Sequence, residues 1–327
     1  MRTWLYVGRK VLHAVLTLAF VLVFNFFLFR VMPSDPVKLL TRTSSAELSA
    51  AQQRELLHDY GLDKPIFPGQ FLDYVGDVLR GDLGVSFVFP GERVMEIFLR
   101  NLWPTVLLVG LSTLFSTLIG VATGIWSGWR RQSAFDLAST GVSLFLYAMP
   151  EFWLGMMLLI VFATTLGWFP TGGRISTVTG LSGVEHLVDV VNHLFLPCLT
   201  LTLAYVGEYH LIMRSSLLDV LGEDYVLTAR AKGLREKIVL RRHAVRNALL
   251  PTITLIALNF GFVLGGAITV ELVFSYQGLG LLTYEALTAK DYPLLQGLFL
   301  FFSAGVILAN LIADLLYGYL DPRVREA

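Results

Sequence analysis

Of the 327 residues, 55% are hydrophobic and only 15% charged, and mean hydropathy is +0.65; a soluble globular domain is far less apolar, so the composition indicates a polytopic membrane protein. The 25 bases balance 25 acids, which leaves no bulk electrostatic case for a nucleic-acid partner. The single cysteine, Cys198, excludes an internal disulfide framework or a cysteine metal cluster.

In chain order, Arg2, Arg9 and Lys10 precede an apolar run from Val11 to Met32. An apolar core of about 20 residues spans a bilayer, whereas that of a signal peptide is about 7–15. No small-x-small cleavage site follows, so the run reads as a retained first helix, amino terminus in the cytoplasm, stopped at Pro33. Residues 34–102 then turn polar, with Glu47, Glu55, Asp59, Asp63, Asp73, Asp77 and Asp82 interleaved with apolar positions. They read as a partly helical segment outside the membrane.

Thr105 to Trp129 is the expected second span. It carries Ser112, Ser116, Gly120, Gly124 and Gly128 at every fourth position, a stripe of small residues that lets two helix backbones approach closely. Arg130 and Arg131 mark a short cytoplasmic turn. The third span, Leu137 to Thr165, is broken at Pro150 and bears Glu151. An unpaired carboxylate inside an apolar run costs at least a few kcal/mol, so it is expected against another helix or facing a cavity. The fourth span, Phe195 to Met213, holds Glu208 and His210. Two positions apart on a helix, these do not face each other, and a proton relay between them is not expected.

Leu217 to Pro251 is the one stretch where many charges gather beside the membrane. Asp219, Glu223 and Asp224 come first; Arg230, Lys232, Arg235, Lys237, Arg241, Arg242 and Arg246 follow, an order that complements a helix dipole. Val220, Leu227, Ala231 and Leu234 are expected on one face of a short amphipathic helix, with Asp219, Glu223 and Arg230 on another. Such a helix lies at a membrane surface or in a partner's groove. Gly233 permits a sharp turn into a second short helix that ends before Pro251. The alternative is a loop whose bases only set orientation. The fifth span, Thr252 to Phe274, has Gly261 and Gly265 in GxxxG spacing, with Asn259 near its middle and Glu271 near its outer end; the sixth runs from Leu294 to Leu320. Bases concentrate at the amino terminus, at Arg130 and Arg131, between Arg214 and Arg246, and at Arg323 and Arg325, while the short outer loops hold Arg174 and Lys290. Six spans with both termini in the cytoplasm satisfy that distribution. No GxxxxGK[ST] phosphate loop, HExxH or GxSxG occurs, so an ATP site or an enzyme is not expected from motifs.

EDYVLTARAKGL followed by RHAVRNALLP resembles the cytoplasmic loop of binding-protein-dependent ABC importer permeases, in particular the dipeptide/oligopeptide/nickel branch. YGLDKP, LRGDLGVSF, NLWPTVLL, PEFWLG, LGWFPTGGR, VELVFSYQGLG, DYPLLQG and NLIADLLYGYLDPRVR resemble that family's landmarks in the same order, with Tyr276-Gln277 where the family has Trp-Pro. Leu227-Thr228-Ala229 stand where the loop's Glu-Ala-Ala would be, and Gly233 at its glycine. The resemblance implies an all-α polytopic membrane protein, six transmembrane helices in the type I ABC importer transmembrane fold. It implies an amino-terminal helix and extracytoplasmic segment over residues 1–102, and a permease domain over 103–322 with its coupling loop at 217–250. Val220, Glu223, Asp224, Tyr225, Leu227, Ala229, Ala231, Gly233 and Leu234 are then candidates for ATPase coupling, and Glu151, Asn259 and Glu271 for the translocation path. Implied partners are a second homologous permease, two cytoplasmic ABC ATPase subunits, an extracytoplasmic binding protein and the lipid bilayer; no cofactor or metal is implied. Peptides are the implied cargo, with nickel chelates or glutathione as alternatives. A secondary transporter would show duplicated halves, and the chain has no internal repeat.

Overall fold

The computed structural model describes residues 2–31, 63–89, 91–176, 182–263 and 267–320. Among these the chain is helical, with no sheet beyond an isolated bridge from Val85 to Arg93. The order is α1 (Arg2–Val31), α2 (Phe71–Leu79), α3 (Val94–Trp129), α4 (Ala134–Ala148), α5 (Glu151–Leu158, continued by a π-helical stretch Leu159–Thr165), α6 (Val184–Leu221) and α7 (Asp224–Ala231). A turn at Glu236–Ile238 and a π-helical stretch Val239–Ala244 lead into α8 (Val245–Val263). Then come α9 (Ile268–Val273), α10 (Leu279–Ala289) and α11 (Tyr292–Leu320).

Four helices, α1, α3, α6 and α11, are each long and apolar enough to cross a bilayer, and the pair α4 and α5 makes a fifth if it is one broken span. The pair bends by 101° at its break. Proline at position 150 lacks a backbone N–H and holds Met149 in an extended conformation (ψ 133°), so the helix cannot run straight through. The expected spans are shorter than the helices. α3 begins at Val94 rather than Thr105, and α6 covers residues 184–221 rather than 195–213, because a helix started in the bilayer continues into water wherever its backbone bonds are undisturbed. Across the expected fifth span, α8, described to Val263, is followed by a separate six-residue helix, α9, whose preceding residue Ala267 is non-helical (φ −91°, ψ 68°). Gly261 lies in α8; Gly265, Glu47, Glu55, Asp59 and residues 321–327 lie outside the described residues.

Lipid tails are as apolar as leucine, so close packing and polar contacts, rather than hydrophobicity, hold neighbouring spans together. α3 and α6 meet along the small-residue stripe. A Cβ on Gly120 would sit 2.6 Å from Tyr209 Cβ and one on Gly124 2.7 Å from the His210 carbonyl oxygen; at Gly128 the nearest atom, Leu217 Cδ2, would be 3.2 Å away. Ser112 and Ser116 are fully buried, and Ser112 Oγ donates to the carbonyls of Leu108 (2.7 Å) and Cys198 (3.2 Å). α1 packs on α11: Lys10 Nζ reaches Asp314 at 2.8 Å and Asn25 Nδ2 donates to the Gln296 carbonyl at 2.8 Å. Its other face, with Val15, Phe20 and Phe24 exposed, is available to lipid. One apolar cluster joins Leu108 and Leu201 to Val270, Phe274 and Tyr276; another joins Phe29, Val94 and Ile97 to Leu279 and Leu294.

Candidate functional site

The charged loop that follows α6 forms a compact hairpin. α6 ends at Leu221, and α7 starts after Glu223, whose extended backbone (ψ 143°) opens the turn. Gly233 closes α7 at φ +74°, a region that favours glycine, and its N–H donates to the Arg230 carbonyl at 2.9 Å. Space is not the constraint there, since a Cβ would meet nothing within 4 Å. Arg230 then bridges to Glu236 across the turn (Nε to Oε1, 3.2 Å), and Asn247 Nδ2 donates to Tyr225 Oη at 2.9 Å.

The inner face of α7 is Val226 and Ala229, both buried against Val239, with Val220 and Leu221 packed beside them. This corrects the expected apolar face. Val220 belongs to the preceding helix and turns inward, and Ala229 is used by the hairpin itself, because α7 is only eight residues long and its spacing starts afresh after Gly222. Leu227, Ala231 and Leu234 do remain exposed, Leu227 by 51%, together with Tyr225, Glu223, Asp224 and Gly233. Val226, missed in the sequence reading, was legible as the partner of Ala229 at i, i+3.

The three polar residues expected along a path through the membrane have different settings. Glu151, the first residue of α5, is half-buried, as is Glu208 of α6. Neither carboxylate has a hydrogen-bond or ion-pair partner among the described residues. Asn259 instead donates to Tyr209 Oη at 2.9 Å and so joins α8 to α6. Glu271 is fully buried: its carboxylate accepts from Thr105 Oγ1 (2.8 Å) and from the N–H groups of Gly280 (2.8 Å) and Leu281 (3.0 Å). Thr105 Oγ1 in turn accepts from the Leu279 N–H at 2.7 Å. Glu271 therefore caps α10 and pins it to α3. The first-turn N–H groups of α10 supply the partial positive charge that a buried carboxylate needs.

A second buried carboxylate was missed. Asp291 accepts from Ser86 Oγ, from the N–H groups of Phe87 and Val88 (each 3.1 Å) and from the Leu294 N–H (3.2 Å). It caps α11 and fastens the 86–88 segment to it; the Asp-Tyr-Pro start of a helix was the available signal. His210, fully buried, faces Thr123 with Nδ1 at 3.0 Å from its hydroxyl, away from half-exposed Glu208. Among the described residues no group of three or more His, Cys, Asp or Glu is placed to hold a metal ion. What the chain offers is a short exposed helix, α7, on a packed footing, and a broken helix presenting a carboxylate.

Residues 120–326 match the family of binding-protein-dependent transport system inner membrane components, and residues 3–91 match the amino-terminal part of such membrane components. The chain is 36% identical over 319 residues to the oligopeptide transport system permease protein AppB of Bacillus subtilis (strain 168). It is 38% identical over 324 residues to the glutathione transport system permease protein GsiC of Pectobacterium atrosepticum, and 37% over 336 residues to the di/tripeptide transport system permease protein DppB of Pseudomonas aeruginosa. Each alignment covers 98% of both chains. The fold is similar to a chain of the MetNI methionine ABC transporter in inward-facing conformations, with a TM-score of 0.54 at 15% identity, covering 69% of this chain and 97% of that one.

Proposed function

The chain belongs to the binding-protein-dependent transport system inner membrane component family, and from that premise we propose that it is one permease subunit of an ATP-binding-cassette importer of short peptides. It forms half of a translocation pathway with a second, homologous permease. Two cytoplasmic ATPase subunits hydrolyse the nucleotide, and an extracytoplasmic binding protein delivers the cargo. Relatives that carry oligopeptides, di/tripeptides and glutathione match at 36–38% identity. Glutathione is itself a tripeptide, so one cargo class, the short peptide, accommodates all three.

The observation that supports this reading best is the exposed outer face of α7. Leu227, Ala231 and Leu234 stand out from a hairpin already stabilised from within by Val226, Ala229 and Val239. A helix with a spent inner face and a free outer one suits a groove on another protein. Few anchors make such a contact, so each matters.

Ala231→Asp places a charge in that contact, and desolvating it unpaired costs several kcal/mol, enough to lower occupancy by orders of magnitude. Gly233→Val acts by strain at positive φ instead. Both variants are expected at parental levels in the membrane and in complex with the second permease. Ala231→Asp is expected to lose copurifying ATPase, and both to lose the ATP hydrolysis stimulated by binding protein and a mixture of di- and tripeptides. Parental rates of stimulated hydrolysis and uptake in Ala231→Asp would reduce the loop to an orientation signal.

A further inference from the structure

Asp136 is 2% exposed, and donors converge on its carboxylate from three segments. Arg214 of α6 meets it with two nitrogens, Nε to Oδ1 at 2.6 Å and Nη2 to Oδ2 at 3.0 Å. The Gln132 N–H, in the turn between α3 and α4, donates to Oδ2 at 2.8 Å, and Ser127 Oγ, two residues before the end of α3, donates to Oδ1. Thr140 adds a longer contact from within α4 at 3.4 Å. A planar fork of this kind fixes orientation as well as distance, which a single ammonium would not. It ties the cytoplasmic ends of α3, α4 and α6 into one block.

The block is connected on both sides. Seven residues beyond Arg214, α6 ends at Leu221 and the chain turns into α7. A second contact runs through space: Trp129, the last residue of α3, lies 5.9 Å from the Arg230 guanidinium of α7, and Arg230 is held by Glu236. In the other direction Asp136 stands in the first turn of α4, whose far end is the Met149-Pro150 break. Across that 101° bend, α5 begins with Glu151.

We propose that the Asp136–Arg214 fork is the joint that passes a displacement of α7 to α4 and, across the Pro150 bend, to α5 and its carboxylate Glu151. Both are positioning residues: neither touches cargo or nucleotide. The proposal rests on the importer reading. With the joint loosened, α7 moves with its ATPase while α4 lags, so nucleotide is hydrolysed without import. A merely structural role would lower the yield of complex and leave the cargo imported per ATP unchanged.

The test uses the whole complex in vesicles with its binding protein and a defined mixture of di- and tripeptides, uptake being read by mass spectrometry. The parent, Asp136→Asn, Arg214→Gln and the double variant are compared for peptide imported per ATP hydrolysed. Each single variant is expected to lower that ratio roughly tenfold, within the usual range of coupling between sites, with hydrolysis retained. The double variant is expected to match the singles, since one joint is broken only once. An unchanged ratio in the singles, or multiplied losses in the double variant, overturns the proposal. A parent complex that imports no peptide overturns the importer reading itself, and the proposal with it. Should the neutral variants fail to assemble, Arg214→Lys keeps the charge without the fork. A cysteine placed at exposed Phe152 in a Cys198→Ala background then reports on α5 by its labelling rate with and without ATP. Loss of the nucleotide dependence in Arg214→Lys supports the joint, and its persistence overturns it.

Discussion

Buried carboxylates without a basic partner are costly unless donors converge on them; Glu271 has two first-turn N–H groups of α10, and Asp291 has one of α11 together with the N–H groups of Phe87 and Val88. Glu271→Ala strips the acceptor from Thr105 Oγ1 and two backbone N–H groups, and each buried donor left unpaired costs about 1–3 kcal/mol. Glu271→Gln keeps a carbonyl oxygen and recovers part of the loss. Thermal denaturation of the purified chain in mild detergent is therefore expected to rank parent above Gln above Ala; equal midpoints for Gln and Ala would show that the capping bonds contribute nothing. For Asp291 the cap is worth about 1 kcal/mol, and the 86–88 segment is released as well. Asp291→Ala is expected to speed chymotryptic cleavage after Phe87 or Phe89, with Asp291→Asn between it and the parent.

The α3–α6 pair depends on the absence of side chains. At Gly124 a Cβ would approach the His210 carbonyl oxygen and Met213 Cβ at 2.7 and 2.9 Å, atoms that cannot move aside without moving α6. Gly110 is on the same helix, and a Cβ there would meet nothing within 4 Å. Gly124→Leu is expected to reduce recovery of the folded chain after detergent extraction severalfold, as overpacking costs of about 1–3 kcal/mol imply. Gly110→Leu, the same substitution, is expected to leave recovery near that of the parent. Similar recovery of both would mean that the two helices separate readily.

For the whole molecule the testable arrangement is its orientation. Bases gather at the α3–α4 turn and around α7, and the positive-inside tendency then puts α7 in the cytoplasm and α2 outside. Single cysteines at Asp77 and Leu227, both exposed, in a Cys198→Ala background are expected to react differently with an impermeant thiol reagent on intact cells. Asp77→Cys labels; Leu227→Cys labels only after the cells are opened. The reverse pattern would invert the protein and overturn the proposal that α7 meets a cytoplasmic ATPase.

Apolar runs and the spacing of small residues are local properties of the chain, and they were enough to find the long apolar helices α1, α3, α6 and α11, the charged hairpin around α7 and the stripe of α3. The family landmarks could be read in the same way, in order along the sequence. Helix ends were not local in this sense, because α3 and α6 stop where capping and turn geometry stop them and not where hydropathy falls. Nor were the roles of the polar residues. Glu151, Glu271 and Asn259 look alike in sequence, each a polar residue in an apolar run. Only the approach of α10 and α3 turns Glu271 into a cap, and only the approach of Tyr209 turns Asn259 into a tie between helices. The Asp136–Arg214 fork joins residues 78 positions apart, a distance at which residue spacing carries no information, and which of the loop's apolar residues face outward was likewise decided by what Val226 and Ala229 pack against.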